Sequence, residues 1–167
     1  MIKHIFDFLK NKKKISFLLG TLCYAGYFPV APGTVGSLVS LPIIFMVCYY
    51  FGIFGLIILI LLSFMTAMIS IKEILLYTKH DPSFIVIDEF VGQSVAFLFV
   101  SNLLKNNISF WWLYIVGFLL FRLFDVRKPF PVNYADKKMN NAFGVVLDDV
   151  FAGLYAAIGT YIVVLFL

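Results

Sequence analysis

Apolar residues run along this chain in long blocks, and the polar residues are gathered into a few short stretches between them. Gly33–Phe51 and Ile53–Ile71 are two such blocks, separated by Gly52. Phe90–Leu104 and Ile108–Phe124 form a second pair around the turn Asn102–Asn107, and Val150–Leu167 is the last block. A helix that crosses the hydrocarbon core needs about 20 residues, with a lower limit near 17. The blocks therefore predict five spans, the third of them short. Ile15–Phe28 is also apolar, but it is only 14 residues long, and Pro29 and Pro32 stop a helix from continuing beyond it. It reads as a re-entrant or half-inserted segment. Before it, Ile2, Ile5, Phe6 and Leu9 share one helical face with lysines elsewhere, the pattern of an amphipathic helix on a membrane surface. The expected fold is all-α: one polytopic integral membrane helix bundle over residues 1–167, with about five spans after the N-terminal amphipathic and re-entrant segments.

Composition sharpens this picture. The apolar fraction is 62% and the charged fraction 13%, against roughly 45–50% and about 25% for soluble domains. No charged residue occurs from Ile15 to Ile71. The net charge of +4 is placed where it orients a membrane protein, with Lys10, Lys12, Lys13 and Lys14 beside the first apolar run. No basic-aromatic stripe or nucleic-acid motif accompanies it, so a nucleic-acid partner is not expected. Cys23 and Cys48 both lie in apolar segments and read as small buried residues. With the N-terminus inside and five spans, the charged loops Lys72–Asp88 and Arg122–Asp149 both face the cytoplasm and Lys105 faces out, as the positive-inside rule requires. The expected location is a membrane, with the charged loops on its cytoplasmic face.

The polar stretches carry the candidate chemistry. In that topology three helices start on the cytoplasmic face, each behind a polar motif: Pro32-Gly33-Thr34-Val-Gly36-Ser37, Asp88-Glu89-Phe-Val-Gly92-Gln93, and Asp148-Asp149. Helix N-termini offer unpaired N–H groups and partial positive charge, which suits anions. Asp88, Glu89, Asp125, Asp148 and Asp149 form an acidic set. A hard cation such as Mg²⁺ takes oxygen ligands of this kind, and converging carboxylates repel unless a cation lies between them. Helix capping would account for one acid at each helix start, though not for adjacent pairs at two of them. Arg122 and Asp125 share a helix face, and Lys128 follows; Arg and Lys are natural clamps for a phosphoryl group, whereas Arg127 reads as a residue reaching for headgroups. Thr34 and Ser37 stand beside glycines that allow close backbone approach, without the Gly-Lys-Ser/Thr of a P-loop. His80 reads as an ordinary loop residue. Cysteine-phosphatase chemistry is excluded, because Pro29 and Phe54 stand where Cys-x5-Arg needs arginine, and no Asp-x-Asp pair supplies an aspartyl nucleophile. Metal-activated water is the simplest remaining route. A transporter of a small anion or cation is the alternative, since intramembrane carboxylates also mark ion pathways. A membrane-anchored assembly module, its loop acids binding a partner, is a third.

Four motifs in order carry a resemblance over nearly the whole chain after the N-terminal tail. They are Pro32-Gly-Thr-Val-Gly-Ser-Leu38; His80-Asp81 followed by Ile85-Val-Ile-Asp-Glu-Phe-Val-Gly92; Phe121-Arg-Leu-Phe-Asp125-Val-Arg-Lys-Pro-Phe-Pro131; and Leu147-Asp-Asp-Val-Phe-Ala-Gly153. Together they resemble the phosphatidylglycerophosphatase A family of Mg²⁺-dependent bacterial inner-membrane lipid phosphatases. The resemblance implies removal of the terminal phosphate of phosphatidylglycerophosphate, with a phospholipid substrate drawn from the bilayer. It implies catalytic and metal-binding roles among Asp88, Glu89, Asp125, Asp148 and Asp149, and substrate contacts from Thr34, Ser37, Arg122 and Lys128. The family often has a Gly-Gly pair before its last acidic motif, where this chain has Asn141-Ala142.

Overall fold

The computed structural model describes residues 12–78, 82–134 and 141–166. Most of the N-terminal amphipathic segment, and His80 with Asp81, lie outside these residues. All regular structure among the described residues is helical. A helical stretch over residues 12–20 comes first. It is followed by a turn with Leu22, Cys23 and Tyr24 in left-handed backbone conformations and a 3₁₀ turn, Ala25–Tyr27. Then come α1 (Pro32–Ile74), α2 (Ile87–Val95), α3 (Ser101–Leu104), α4 (Trp112–Arg127) and α5 (Ala142–Leu165).

Helix α1 is not one rod. Gly52 has φ 60° and ψ −141°, outside the helical region, a conformation that glycine adopts without the steric cost a Cβ brings. Two arms result, 32–51 and 53–74. At 1.5 Å per residue each is about 30 Å long, the thickness of the hydrocarbon core. The backbone groups freed at the break find partners: the Ile53 N–H donates to Asn102 Oδ1 at 3.1 Å, and the Asn106 N–H donates to the Tyr49 carbonyl at 3.0 Å.

Among the described residues, three helical stretches are long and apolar enough to cross a membrane: Pro32–Ile74, Ile108–Arg127 and Ala142–Leu165. Many of their large side chains face outward, among them Phe54, Leu62, Met65 and Leu119. A soluble protein rarely exposes apolar surface so continuously, and this one is a membrane protein. The segment predicted as a short span, Phe90–Leu104, differs from its expected form. It begins earlier, at Ile87, stays α-helical only to Val95, and continues through tight turns to α3. Among the described residues it is also the most enclosed segment, with Val91, Ala96, Phe97 and Val100 all inaccessible.

Packing of this inner segment depends on small residues. A Cβ on Gly92 would lie 2.6 Å from the Asp149 carbonyl oxygen, and one on Gly153 would meet the Gly92 carbonyl. Helices α2 and α5 thus touch backbone to backbone, the mode used where no hydrophobic effect drives helices together. Ala152, Ala156, Ala157 and Thr160 continue the small, buried face of α5.

Candidate active site

Every acid of the predicted set comes to one end of the bundle, although not by the expected route. Asp88 and Glu89 occupy the first turn of α2, where the N-cap is Val86 and makes no side-chain capping bond. Their charges complement the helix dipole, but neither residue is a cap. Hydropathy places Asp148 and Asp149 just ahead of a helix starting at Val150. Helix α5 instead starts at Ala142, capped by Asn141, whose Oδ1 accepts from the Gly144 N–H at 2.9 Å. Asn is a strong N-cap because its side-chain oxygen satisfies an orphan N–H. The two aspartates therefore sit in the second turn of α5, and two helix N-termini rather than three face the site. Arg122 and Asp125 likewise lie inside α4, which runs on to Arg127. Lys128 is its left-handed C-cap (φ 44°, ψ 59°), and its N–H donates to the Phe124 carbonyl.

These residues enclose a cavity of about 190 Å³ lined by Asp88, Glu89, Arg122, Asp125, Lys128, Asp148 and Asp149, with Pro32 and Gly33 from the start of α1. Thr34 and Ser37 do not line it. Thr34 lies in the first turn of α1, where its N–H donates to the Ala31 carbonyl. Ser37 is fully buried; its hydroxyl donates to the Gly33 carbonyl at 2.9 Å and accepts from Arg122 Nη1 at 3.4 Å. It supports Arg122 from behind. Pro82 and Ser83, which lie outside the sequence motifs, complete the wall with Ile85. Their loop is hung by the Val86 N–H on the Gly20 carbonyl at 2.9 Å, a long-range bond that leaves no local sequence signal.

The charges divide into two groups. Arg122 Nη1 lies 2.7 Å from Asp125 Oδ2, and Lys128 Nζ lies 3.0 Å from Asp148 Oδ2. The carboxylates of Asp88, Glu89 and Asp149 instead converge on one another, each with an oxygen within 4.8 Å of the other two. Glu89 Oε2 and Asp149 Oδ1 are buried without a hydrogen-bonding partner among the described residues, as is Arg122 Nε. Glu89 Oε1 lies so near Gly33 that a Cβ there would meet it. Among the described residues, five carboxyl groups and two cations in one lining leave three formal negative charges. Like charges within 4.8 Å of one another repel by roughly 3 kcal/mol or more per pair at an effective dielectric constant of about 20. Helix-dipole contacts offset at most about 2 kcal/mol. The donor set therefore fits a hard cation, which prefers oxygen ligands and bridges carboxylates to phosphate.

Residues 18–164 match the family model for phosphatidylglycerophosphatase A. The chain is 36% identical over 163 residues to Phosphatidylglycerophosphatase A of Haemophilus influenzae, covering 87% of this chain and 90% of that one. It is 33% identical over 158 residues to a Bacteroides thetaiotaomicron protein named as a candidate phosphatidylinositol-3-phosphatase, covering 90% and 94%. It is 27% identical over 157 residues to Phosphatidylglycerophosphatase A of Escherichia coli, covering 90% and 86%. No solved structure gives a significant match. The match spans nearly all the described helices and includes every residue of the cavity: the chain belongs to the phosphatidylglycerophosphatase A family.

Proposed function

We propose that the cavity hydrolyses the terminal phosphomonoester of a membrane lipid, using a divalent cation held by Asp88, Glu89 and Asp149. The family gives the reaction: the protein is a phosphatidylglycerophosphatase, a hydrolase that releases phosphate from phosphatidylglycerophosphate and leaves phosphatidylglycerol. The observation that carries the cation is the convergence of those three carboxylates in a cavity with an excess of negative charge. A substrate phosphate adds more, so the dianion binds only if the carboxylates are neutralised first. Mg²⁺ is the cation that suits such a set, and when bound it would screen the phosphoryl oxygens and lower the pKa of a water.

The rest of the chemistry falls to the side chains around the cluster. Arg122 is fixed by Asp125 and Ser37, so its other N–H groups are already oriented when a phosphoryl group arrives. Such preorganised donors stabilise charge that develops in the transition state. Lys128 reaches the same space from the C-cap of α4, and the Asp148 contact holds its ammonium at the cavity. A carboxylate of the converging set takes the proton of the attacking water. The lipid keeps its acyl chains among the exposed apolar faces of the helices and offers only its headgroup to the cavity.

On this reading Gly52 divides α1 into two spans and Ile87–Leu104 forms a short third, so five spans place the cavity at the cytoplasmic face of the inner membrane. The placement rests on the lysines at 12–14 and on Lys105 at the opposite end. Purified protein in detergent should release inorganic phosphate from phosphatidylglycerophosphate, lose the activity to a chelator and regain it with Mg²⁺. Turnover unaffected by exhaustive chelation would remove the cation from the mechanism. The Bacteroides relative's name favours a second reading, a phosphoinositide as the phosphomonoester. Comparing kcat/KM for the two lipids decides between them.

A further inference from the structure

The carboxylate cluster has a polar neighbour one turn further along α2. Gln93 is completely buried, and neither its Oε1 nor its Nε2 has a hydrogen-bonding partner among the described residues. A carboxamide carries two donors and an acceptor oxygen, and a buried polar group without partners is costly. An apolar side chain would fill this place at lower cost, so the amide needs a use that the packing does not supply. The adjacent Ser94 has one, since its hydroxyl donates to the Phe90 carbonyl at 2.8 Å.

Spacing points to the use of Gln93. It comes four residues after Glu89 on one helix, and such side chains are neighbours, with Cβ atoms about 5–6 Å apart. Glu89 Oε2 is itself buried and without a partner, while Glu89 Oε1 lies against Gly33. We propose that Gln93 is a positioning residue for the divalent-cation site. Its Nε2–H donates to Glu89 Oε2 when the site is loaded, which holds the carboxylate plane and leaves Oε1 turned toward the cation. The inference rests on the proposed cation site and deepens it, because it names what orients one of the three carboxylates.

The test is a Mg²⁺ titration of thermal unfolding and of phosphate release, made on the wild-type protein and on Gln93→Leu. The metal-free unfolding midpoint should be unchanged or higher, because an unpaired amide has been removed. The Mg²⁺ concentration for half-maximal stabilisation should rise about tenfold, the lower end of what outer hydrogen-bonding partners of metal ligands contribute. KM for the lipid at saturating Mg²⁺ should change little. Gln93→Met, unbranched and apolar, serves where the leucine variant does not fold. A wild type whose stability responds to Mg²⁺, with variants that respond equally, overturns this inference alone. A wild type that ignores Mg²⁺ in both readouts overturns the cation reading and this inference together. Failure of both apolar variants to fold makes Gln93 structural and also overturns it.

Discussion

Asp125 and Asp148 each have a cation within 3.0 Å, and the carboxylates of Asp88, Glu89 and Asp149 converge on one another. Relief of like-charge repulsion means that Asp149→Asn should stabilise the metal-free protein by about 1–3 kcal/mol while phosphate release falls by several orders of magnitude. A chelated thermal scan with an activity assay checks both, and a destabilised Asp149→Asn would return that residue to a structural role. Asp125→Asn should behave differently. It removes the contact that orients Arg122 and leaves the carboxylate cluster intact, so turnover should fall about 10–100-fold with the Mg²⁺ dependence of stability unchanged. Equal loss of the Mg²⁺ response in the two variants would place Asp125 among the ligands. These five acids and both cations were legible in the sequence because charge beside apolar spans is costly and therefore informative. Which three of the acids converge was not legible, since that depends on which turn of which helix meets which.

At the scale of the helices, hydropathy misplaces the boundaries for one reason. It stops the block Ile108–Phe124 before Asp125 and starts the last block after Asp149, yet α4 carries Asp125 and α5 carries Asp148 and Asp149 inside their helical spans. Hydropathy finds where a segment is greasy, whereas backbone hydrogen bonding and the Asn141 cap set where it is helical. The break at Gly52 was legible, because a glycine between two apolar runs of spanning length marks a turn. The interior position of the Ile87–Leu104 segment was not, since its burial depends on glycines facing one another across sequence. Gly153 is the sharpest case. Its missing Cβ lets α5 lie directly on the Gly92 carbonyl, and the same contact sets the distance from Asp149 to Asp88 and Glu89. Gly153→Ala must push the two backbones apart, and overpacking of this kind costs about 1–3 kcal/mol. The variant should lose stability and bind Mg²⁺ more weakly, although no ligand has been touched. Mg²⁺-dependent unfolding scans measure both, and an unchanged metal response would mean that the cluster does not depend on this helix contact.

Across the whole molecule, charge and aromatic residues mark two opposite ends. One end gathers the acids, Arg122, Lys128 and the start of α1. The other gathers the Gly52 break, Asn102, Lys105 and Asn106, which meet across the turn, with Tyr49, Tyr50 and Trp111 close by in the chain. Tyrosine and tryptophan settle at membrane interfaces, so this second end is read as the far edge of the bilayer. Lysines at positions 12–14 belong to the first end, where Lys12 pairs with Glu73 at 3.4 Å and Lys13 lies over the Tyr77 ring. Cations accumulate on the cytoplasmic side, so the proposed orientation has the cavity inside the cell and Lys105 outside. The alternative orientation would expose the cavity to the periplasm and leave the lysine group translocated. Cysteine labelling separates the two. Cys23 and Cys48 are first replaced, Cys23 being exposed and the more urgent of the two. A single cysteine at Lys105, which is exposed, should then react with an impermeant thiol reagent added to intact cells. A cysteine at Tyr134, exposed at 52% just beyond the Lys128 loop, should react only after the membrane is opened. Labelling of both sites from the same side would show that the segments between them do not cross the bilayer an odd number of times. Periplasmic labelling at Tyr134 alone would turn the protein over and require its lipid substrate to be met in the outer leaflet.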